Sequence, residues 1–327
     1  MDLRPIQSYL FDKSGGVTDI STGAGGGRDH GSGILWTHVK WEDPDGAEWL
    51  DTAANLSSEV LDALKAPETR PRCTVMRTQH GDGAVINLRG VNLLDGAEPE
   101  DMISIRIWLE ENRIVSTWRR PLFAVQDLVT GMELGQAPVS PGDFAARLAL
   151  RLADRAEPVV AKLNETVDQM EEEILTDATP DGVRAKLADV RRMAIVLRRY
   201  MFPQRDALST LAIEDLPWIS ERDRGKLREA TDRITRLAEE LDAIRERAAV
   251  VQDQLVERRA EAMNRNMLVL AVVAAIFLPL GLLTGLLGIN VGGIPGAETS
   301  WAFWGVCGLL AVTTALQLWL YRRLKLI

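Results

Sequence analysis

The chain has 327 residues, of which 46% are hydrophobic and 26% charged, and its net charge is −9. A protein that binds nucleic acid usually carries a basic surface, so this acidic balance argues against that class. The two cysteines, Cys73 and Cys307, lie far apart, and the three histidines show no metal-ligand spacing. We therefore expect neither a disulfide framework nor a fixed set of metal ligands.

Residues 1–135 combine strand and helix patterns and predict an α+β domain in the cytoplasm. Strand-forming residues occupy 34–41 (ILWTHVKW), and a short helix with a serine cap is predicted at 57–64. Two hairpins follow, one joining residues 73–79 to 84–91 and the other joining residues 103–109 to 113–118.

No catalytic group is predicted in this domain. The glycine-rich segment 21–33, STGAGGGRDHGSG, lacks the lysine of a phosphate-binding loop and is predicted to be a flexible loop. The domain also lacks a nucleophile elbow and an HExxH motif. We therefore do not expect an enzyme, and an N-terminal active site at this loop is the weakest of the alternatives.

Residues 136–265 form a second, helical part of the predicted cytoplasmic region. Long charged helices are predicted at 141–177 and 181–210. The acidic run Glu171, Glu172 and Glu173 on the first of these is either a solvated helix face or a surface that attracts cations.

The next predicted helix begins near Ser220 and carries a regular apolar seam. Its apolar residues repeat at alternating spacings of three and four, which is typical of a heptad pattern. This seam serves either packing within a subunit or assembly between subunits. It consists of Leu227, Ala230, Ile234, Leu237, Leu241, Ile244, Ala248, Val251 and Leu255.

Two uncharged segments, 267–289 and 301–321, are each long enough to cross a membrane, and together with their connection they define a third part, residues 266–327. No glycine or proline interrupts residues 226–278, so the seam helix continues into the first segment, which predicts one stalk helix from about 220 to 287. Arginine and lysine flank the two spans on one side, whereas Glu298 is the only charged residue in the loop 290–300. The positive-inside rule therefore places both termini in the cytoplasm and this loop outside.

Two spans cannot enclose a water-filled path, so a pore would need several copies of the chain. The first span is rich in small residues, which allow helices to approach closely. It ends at Gly288 and Asn290, which are either a simple helix cap or, in a symmetric assembly, a ring of amide oxygens. Neutral oxygens suit a cation that keeps its water.

The tripeptide Gly288-Ile289-Asn290 resembles the Gly-Met-Asn signature of the CorA family of divalent-cation transporters, with isoleucine where methionine is usual. ETRPR (68–72), RRYMFPQRD (198–206), LPWIS (216–220) and FLPLGLLTGLLGIN (277–290) resemble the zinc-transport branch of that family. The resemblance implies a funnel-shaped homopentamer in the bacterial inner membrane, and it implies that the cargo would be Zn²⁺ with other divalent cations such as Ni²⁺, Cd²⁺ and Co²⁺.

The resemblance also implies a set of site residues. Gly288, Ile289 and Asn290 would form the outer selectivity mouth, and Glu298 would attract cations to it. By their offset from the asparagine, the residues expected to line the pore are Met267, Leu270, Ala274, Leu278, Gly281 and Thr284.

Neither span contains histidine, aspartate or glutamate. The residues therefore favour a hydrated ion and weak discrimination among divalent cations, and they provide no proton relay for the proton-linked uptake that the resemblance implies. A CorA-type Mg²⁺/Co²⁺ channel is the nearest alternative, and a membrane-anchored sensor is a more distant one.

Overall fold

The structure is a computed structural model that describes residues 4–12, 14–20, 33–78, 81–175, 182–289, 294, 296 and 299–323. It has an α+β part, long helices and a C-terminal apolar helix, as the sequence predicts. The chain divides into two compact units, residues 1–251 and 252–327. The predicted glycine-rich loop at 21–32 lies outside the described residues.

The first unit is built on a seven-stranded sheet. Its strands are β1 (Ile6–Phe11), β2 (Val17–Asp19), β3 (Ile34–Lys40), β4 (Arg72–Thr78), β5 (Gly81–Gly90), β6 (Ile103–Glu110) and β7 (Arg113–Trp118). They are arranged in the order β2-β1-β3-β7-β6-β5-β4. Neighbouring strands are antiparallel except β3 and β7, which are parallel. Both predicted hairpins are present, as β4–β5 and β6–β7.

One face of the sheet is covered by α1 (Pro44–Glu48), a π-helical turn (Trp49–Ala53) and α2 (Ser58–Lys65). The sequence predicted α2 correctly, including its cap, because the Ser57 side chain accepts a hydrogen bond from the Val60 N–H. These helices bury an apolar cluster against the sheet: Val39, Leu50, Ala54, Val60, Leu64, Val85, Trp108 and Val115.

The other face carries α3 (Phe123–Glu133) and the first part of α4 (Pro141–Leu175). Phe144 of α4 packs edge-on against Trp36 of β3, with ring centroids 4.9 Å apart. Gly90 at the end of β5 lies so close to α4 that an added Cβ would stand 2.7 Å from the Leu152 side chain. The sheet therefore holds the N-terminal half of α4 in a fixed position.

Helices α4, α5 (Val183–Ile213) and α6 (Glu221–Leu287) confirm the three long helices that the sequence predicts. Every residue of the heptad seam in α6 is buried within the single chain, the most exposed being Leu255 at 6%. The seam therefore serves packing within the subunit.

Arginines on α6 bond to α4 beside the seam. Arg233 reaches Asp154 and Glu157 at 2.7 Å each. Arg247 reaches Glu171 at 2.7 Å and Asp168 at 2.5 Å. Of the acidic run, Glu171 is thus part of an ion pair between helices.

The N-termini of α4 and α6 are tied together by two buried carboxylates. Asp223 accepts hydrogen bonds from the hydroxyls of Ser140 (2.6 Å) and Ser220 (2.7 Å), which precede α4 and α6. Asp143, with no exposed surface, accepts hydrogen bonds from Lys226 Nζ at 2.5 Å and from Arg147 Nε at 3.0 Å. Burial alone would raise the pKa of Asp143, but these hydrogen bonds outweigh it and hold the pKa below its ordinary value.

Sequence patterns missed four elements: β1, β2, α1 with its π-helical turn, and α3. Strand β1 has Ser8 among its few buried residues, and β2 has only three residues. Neither presents a clear two-residue apolar period, so both depend on pairing with β3 and with each other.

The Asp143→Asn substitution should destabilise the protein. Asparagine has no negative charge to balance Lys226 and Arg147, and one of the two acceptor oxygens is replaced by an NH2 donor, so the loss should be about 1.5–3 kcal/mol at neutral pH. Because the folded-state pKa is lowered, the wild-type stabilisation is complete at neutral pH and is lost as pH falls through that value. Thermal unfolding of the full-length protein in detergent, followed from pH 7 to pH 3, measures both effects.

The matched control is Asp232→Asn, because Asp232 is an exposed carboxylate on α6. It should leave the unfolding midpoint nearly unchanged. An equal loss in the two variants, or a constant difference between wild type and Asp143→Asn over this pH range, would contradict the role assigned to Asp143.

Candidate functional site

Helix α6 presents the predicted pore-lining residues on one face. Met267, Leu270 and Leu278 are exposed by 54, 69 and 78% in the single subunit. Ala274, Gly281 and Thr284 are exposed as well. At about 100° per residue, all six positions fall within an arc of about 120°. This arc, composed of these six residues, is called the open face below.

A different face of α6 packs against the last helix, α7 (Ala302–Arg323). Its half-buried positions lie roughly opposite the open face: Val272, Ile276, Pro279, Leu280 and Leu283. The half-buried positions of α7 also share a face, which includes Val306, Cys307, Leu310, Thr314 and Gln317. Gln317 Nε2 donates a hydrogen bond to the Ala275 carbonyl at 3.2 Å, so the two helices lie side by side. Helix α7 thus leaves the open face uncovered.

Both helices have the length and apolar composition of membrane spans, and their most apolar windows have no buried residues in the isolated chain. A surface of this size and character is stable only against lipid or other copies of the chain. The open face must therefore have a neighbour in the functional state.

The open face combines small, apolar and hydroxyl groups. The Thr284 hydroxyl donates to the carbonyl of Leu280 at 2.9 Å and lies 3.2 Å from that of Gly281. Its hydrogen is therefore directed at its own helix, and the lone pairs of the oxygen are left to accept hydrogen bonds. An oxygen in this state can bind the water of a hydrated cation.

The C-terminal end of α6 is closed by Gly288, whose N–H bonds to the Thr284 carbonyl at 2.9 Å. A Cβ at this position would stand 3.0 Å from the same oxygen, so a larger residue would push against the helix end. Ile289, at 48% exposure, is the next residue. Asn290 and Glu298 lie outside the described residues, so their predicted roles stay predictions.

Within the first unit, the described histidine and cysteine, His38 and Cys73, are poorly placed to bind zinc. Among the described residues, no group of three or more His, Cys, Asp or Glu side chains is arranged to hold a metal ion. Burial lowers the pKa of His38 to about 3, and its Nδ1 lies 2.7 Å from the Ser116 hydroxyl. Burial, with a smaller contribution from the charge of Glu214, raises the pKa of Cys73 to about 12. A dehydrated, tightly bound zinc ion therefore has no evident site in the part of the chain that the structure describes.

Sequence reasoning overlooked Gln317, which makes the side-chain hydrogen bond between the two apolar helices. The available signal was its amide in an otherwise apolar segment, since polar groups within a membrane span need a partner.

Sequence comparisons match this chain to divalent-cation transporters over nearly its whole length. The family model described as CorA-like Mg²⁺ transporter protein matches residues 31–323. The zinc transport protein ZntB of Yersinia enterocolitica is 35% identical over 320 residues, covering 98% of this chain and 95% of that protein. The divalent cation transporter CmaX of Pseudomonas aeruginosa is 39% identical over 317 residues, covering 94% of this chain and 95% of that protein.

Two solved structures have a similar fold over nearly the whole chain. The full-length CmaX structure has a TM-score of 0.84 at 37% identity, with 98% of both chains covered. The CorA magnesium transporter of Methanocaldococcus jannaschii has a TM-score of 0.83 and covers 99% of both chains. Its identity is only 17%, so that likeness concerns the fold alone.

Cysteine substitution should distinguish the two faces of α6. We expect a water-soluble thiol reagent to modify the Leu278→Cys variant at least about tenfold faster than the Ile276→Cys variant, because Ile276 packs on α7. A tenfold ratio of rates corresponds to a difference of about 1.4 kcal/mol between the two sites in the free energy of reaching the reagent. Mass spectrometry of membranes treated for increasing times gives the two rates.

The Cys307→Ala background removes the thiol within α7, and Cys73 is protected by its raised pKa. Equal rates, or faster modification at position 276, would show that the open face does not meet water.

Proposed function

Because this chain belongs to the CorA-like Mg²⁺ transporter family, we propose that it carries Zn²⁺ and other divalent cations across a membrane through a pore formed by five copies. The observation that carries this proposal is the open face of α6, which ends at the Gly288-Ile289-Asn290 tripeptide and is left uncovered by α7. The names of the ZntB and CmaX relatives support a divalent cation as the cargo.

In the proposed homopentamer, the open faces of five α6 helices surround the axis, and the five α7 helices face lipid. Small residues at 274 and 281 allow close approach, whereas Leu270 and Leu278 form an apolar throat. Glycine at position 281 provides no hydroxyl, so Thr284 supplies the hydroxyl ring instead.

Selectivity in this proposal depends on neutral oxygens and on size. Asn290 contributes one amide oxygen per subunit, and the C-terminal end of α6 adds carbonyls with partial negative charge. Glu298 raises the local concentration of cations outside. A cation that keeps its water is held weakly enough to leave again, which conduction requires.

Zinc is the favoured cargo because of the ZntB relatives, and the residues themselves predict weak discrimination among Zn²⁺, Ni²⁺, Cd²⁺ and Co²⁺. No cofactor and no catalytic residue has a part in this function. The proposed setting is the bacterial inner membrane, with residues 1–135 and 136–265 as cytoplasmic parts, both termini inside, and residues 266–327 as the membrane part.

A CorA-type Mg²⁺/Co²⁺ channel is the second candidate. The observation that favours it is the lack of any Asp, Glu, His, Lys or Arg side chain between Met267 and Ile289 or between Trp301 and Leu320. Proton relays in membranes use such groups, whereas a channel needs only the metal gradient and the membrane potential.

We expect zinc uptake into liposomes that contain the purified protein, with a further increase when an inward proton gradient is imposed. A fluorescent zinc indicator inside the liposomes gives the initial rate. Uptake that is insensitive to the proton gradient would favour the channel, and Mg²⁺ uptake under the same conditions would then test it. Liposomes that show no metal flux at all would contradict transport and favour the membrane-anchored sensor.

The Asn290→Ala substitution should reduce the rate of zinc uptake by at least about tenfold, which corresponds to the loss of about 1.4 kcal/mol, near the net contribution of one hydrogen bond. Ser300→Ala, in the same outer loop, is the control and should leave the rate unchanged. Size-exclusion chromatography with light scattering establishes that both variants remain pentameric. Wild-type flux in an intact Asn290→Ala pentamer would eliminate the proposed mouth.

A further inference from the structure

Helix α6 contains a proline in its first membrane span. Pro279 has no N–H, so it cannot donate the hydrogen bond that the Ala275 carbonyl would accept in a regular helix. Water is excluded from the hydrocarbon region, and an unsatisfied carbonyl there is destabilising.

The missing donor is supplied by the neighbouring helix. Gln317 Nε2 of α7 lies 3.2 Å from the oxygen of Ala275, the carbonyl that Pro279 leaves open. The nearby hydroxyls behave differently, since Thr313 and Thr314 donate to Leu309 and Leu310 of their own helix at 2.8 Å each. Gln317 therefore differs from Thr313 and Thr314, because its side-chain hydrogen bond connects α7 to α6.

The orientation of the Gln317 amide follows from the same contact. Its Oε1 is buried and has no hydrogen-bond partner among the described residues. Turning the amide over would place two oxygens against each other and leave the Ala275 carbonyl without a donor. The amide is thus held by its donor end.

We propose that Gln317 is a positioning residue that closes the backbone break at Pro279 and fixes α7 on α6 at that level. Leu278 and Gly281 of the open face lie within two residues of Pro279. By anchoring the opposite side of the helix, Gln317 determines the direction in which the open face points. This inference goes beyond the proposed function, because it concerns a bond within one subunit and holds whatever ion is carried.

A double-mutant cycle tests the proposal. The Pro279→Ala substitution restores an N–H that can bond to the Ala275 carbonyl, so it should remove the need for Gln317. In the wild-type background, Gln317→Leu should increase the unfolding equilibrium constant of the full-length protein in mixed micelles by about three- to fifteenfold. In the Pro279→Ala background, the same substitution should change it less than about twofold, and the difference is the coupling between the two positions.

The control is Thr314→Val, which removes a hydroxyl from the same face of α7 but only an intrahelical bond. Its effect should be the same in both backgrounds. If Gln317→Leu alone does not assemble, the Pro279→Ala/Gln317→Leu double variant should, because the restored N–H replaces the lost donor.

Equal effects of Gln317→Leu in the two backgrounds, no effect in the wild-type background, or failure of the double variant to assemble would each overturn the proposal. The readout is stability, so these outcomes are independent of whether zinc uptake is observed.

Discussion

Helix α6 is a single helix of 67 residues whose side chains change from charged to apolar along its length. In its N-terminal part a buried seam and arginine bonds to α4 hold the helix, and in its C-terminal part the backbone must satisfy itself because lipid offers no hydrogen bonds. Both the soluble fold and the candidate pore depend on this single element. The proline at 279 is the point where the backbone cannot meet that demand alone, and α7 supplies the missing donor there.

This constraint also explains the chemistry of the open face. A metal site with tight ligands would require charged or imidazole groups in the span, and each would be expensive to bury in hydrocarbon. Small side chains, a threonine oxygen and the helix end provide weaker, neutral interactions. In the proposed pore they would suit an ion that passes with its water, and preference among divalent ions would depend on ion size and on the field at the proposed mouth.

Sequence periodicity predicted the elements that carry their own signal. The seam residues, the Ser57 cap and the two hairpins all appear as expected, because each is fixed by local spacing or capping. Strands β1 and β2 were missed because tertiary pairing, rather than local pattern, stabilises them. Helix α3 did carry a local signal, since its buried residues Ala124, Val125, Leu128 and Met132 lie at helical spacing, and that signal was overlooked. The six residues of the open face were chosen by their offset from Asn290, and their place at a pore axis stays a prediction. The bond between Gln317 and Ala275 joins residues 42 positions apart, so it becomes visible only once the two helices are packed.

The parallel pairing of β3 with β7 has a consequence for biosynthesis. The central strand β7 completes the sheet, since it joins β1–β3 on one side to β6, β5 and β4 on the other. It ends at Trp118, about 150 residues before the first apolar span begins at Met267. At ribosomal rates of about 5–20 residues per second, this interval lasts roughly 7–30 seconds. The sheet therefore has time to form before the first apolar span leaves the ribosome, so its apolar strands are buried before the spans must be inserted.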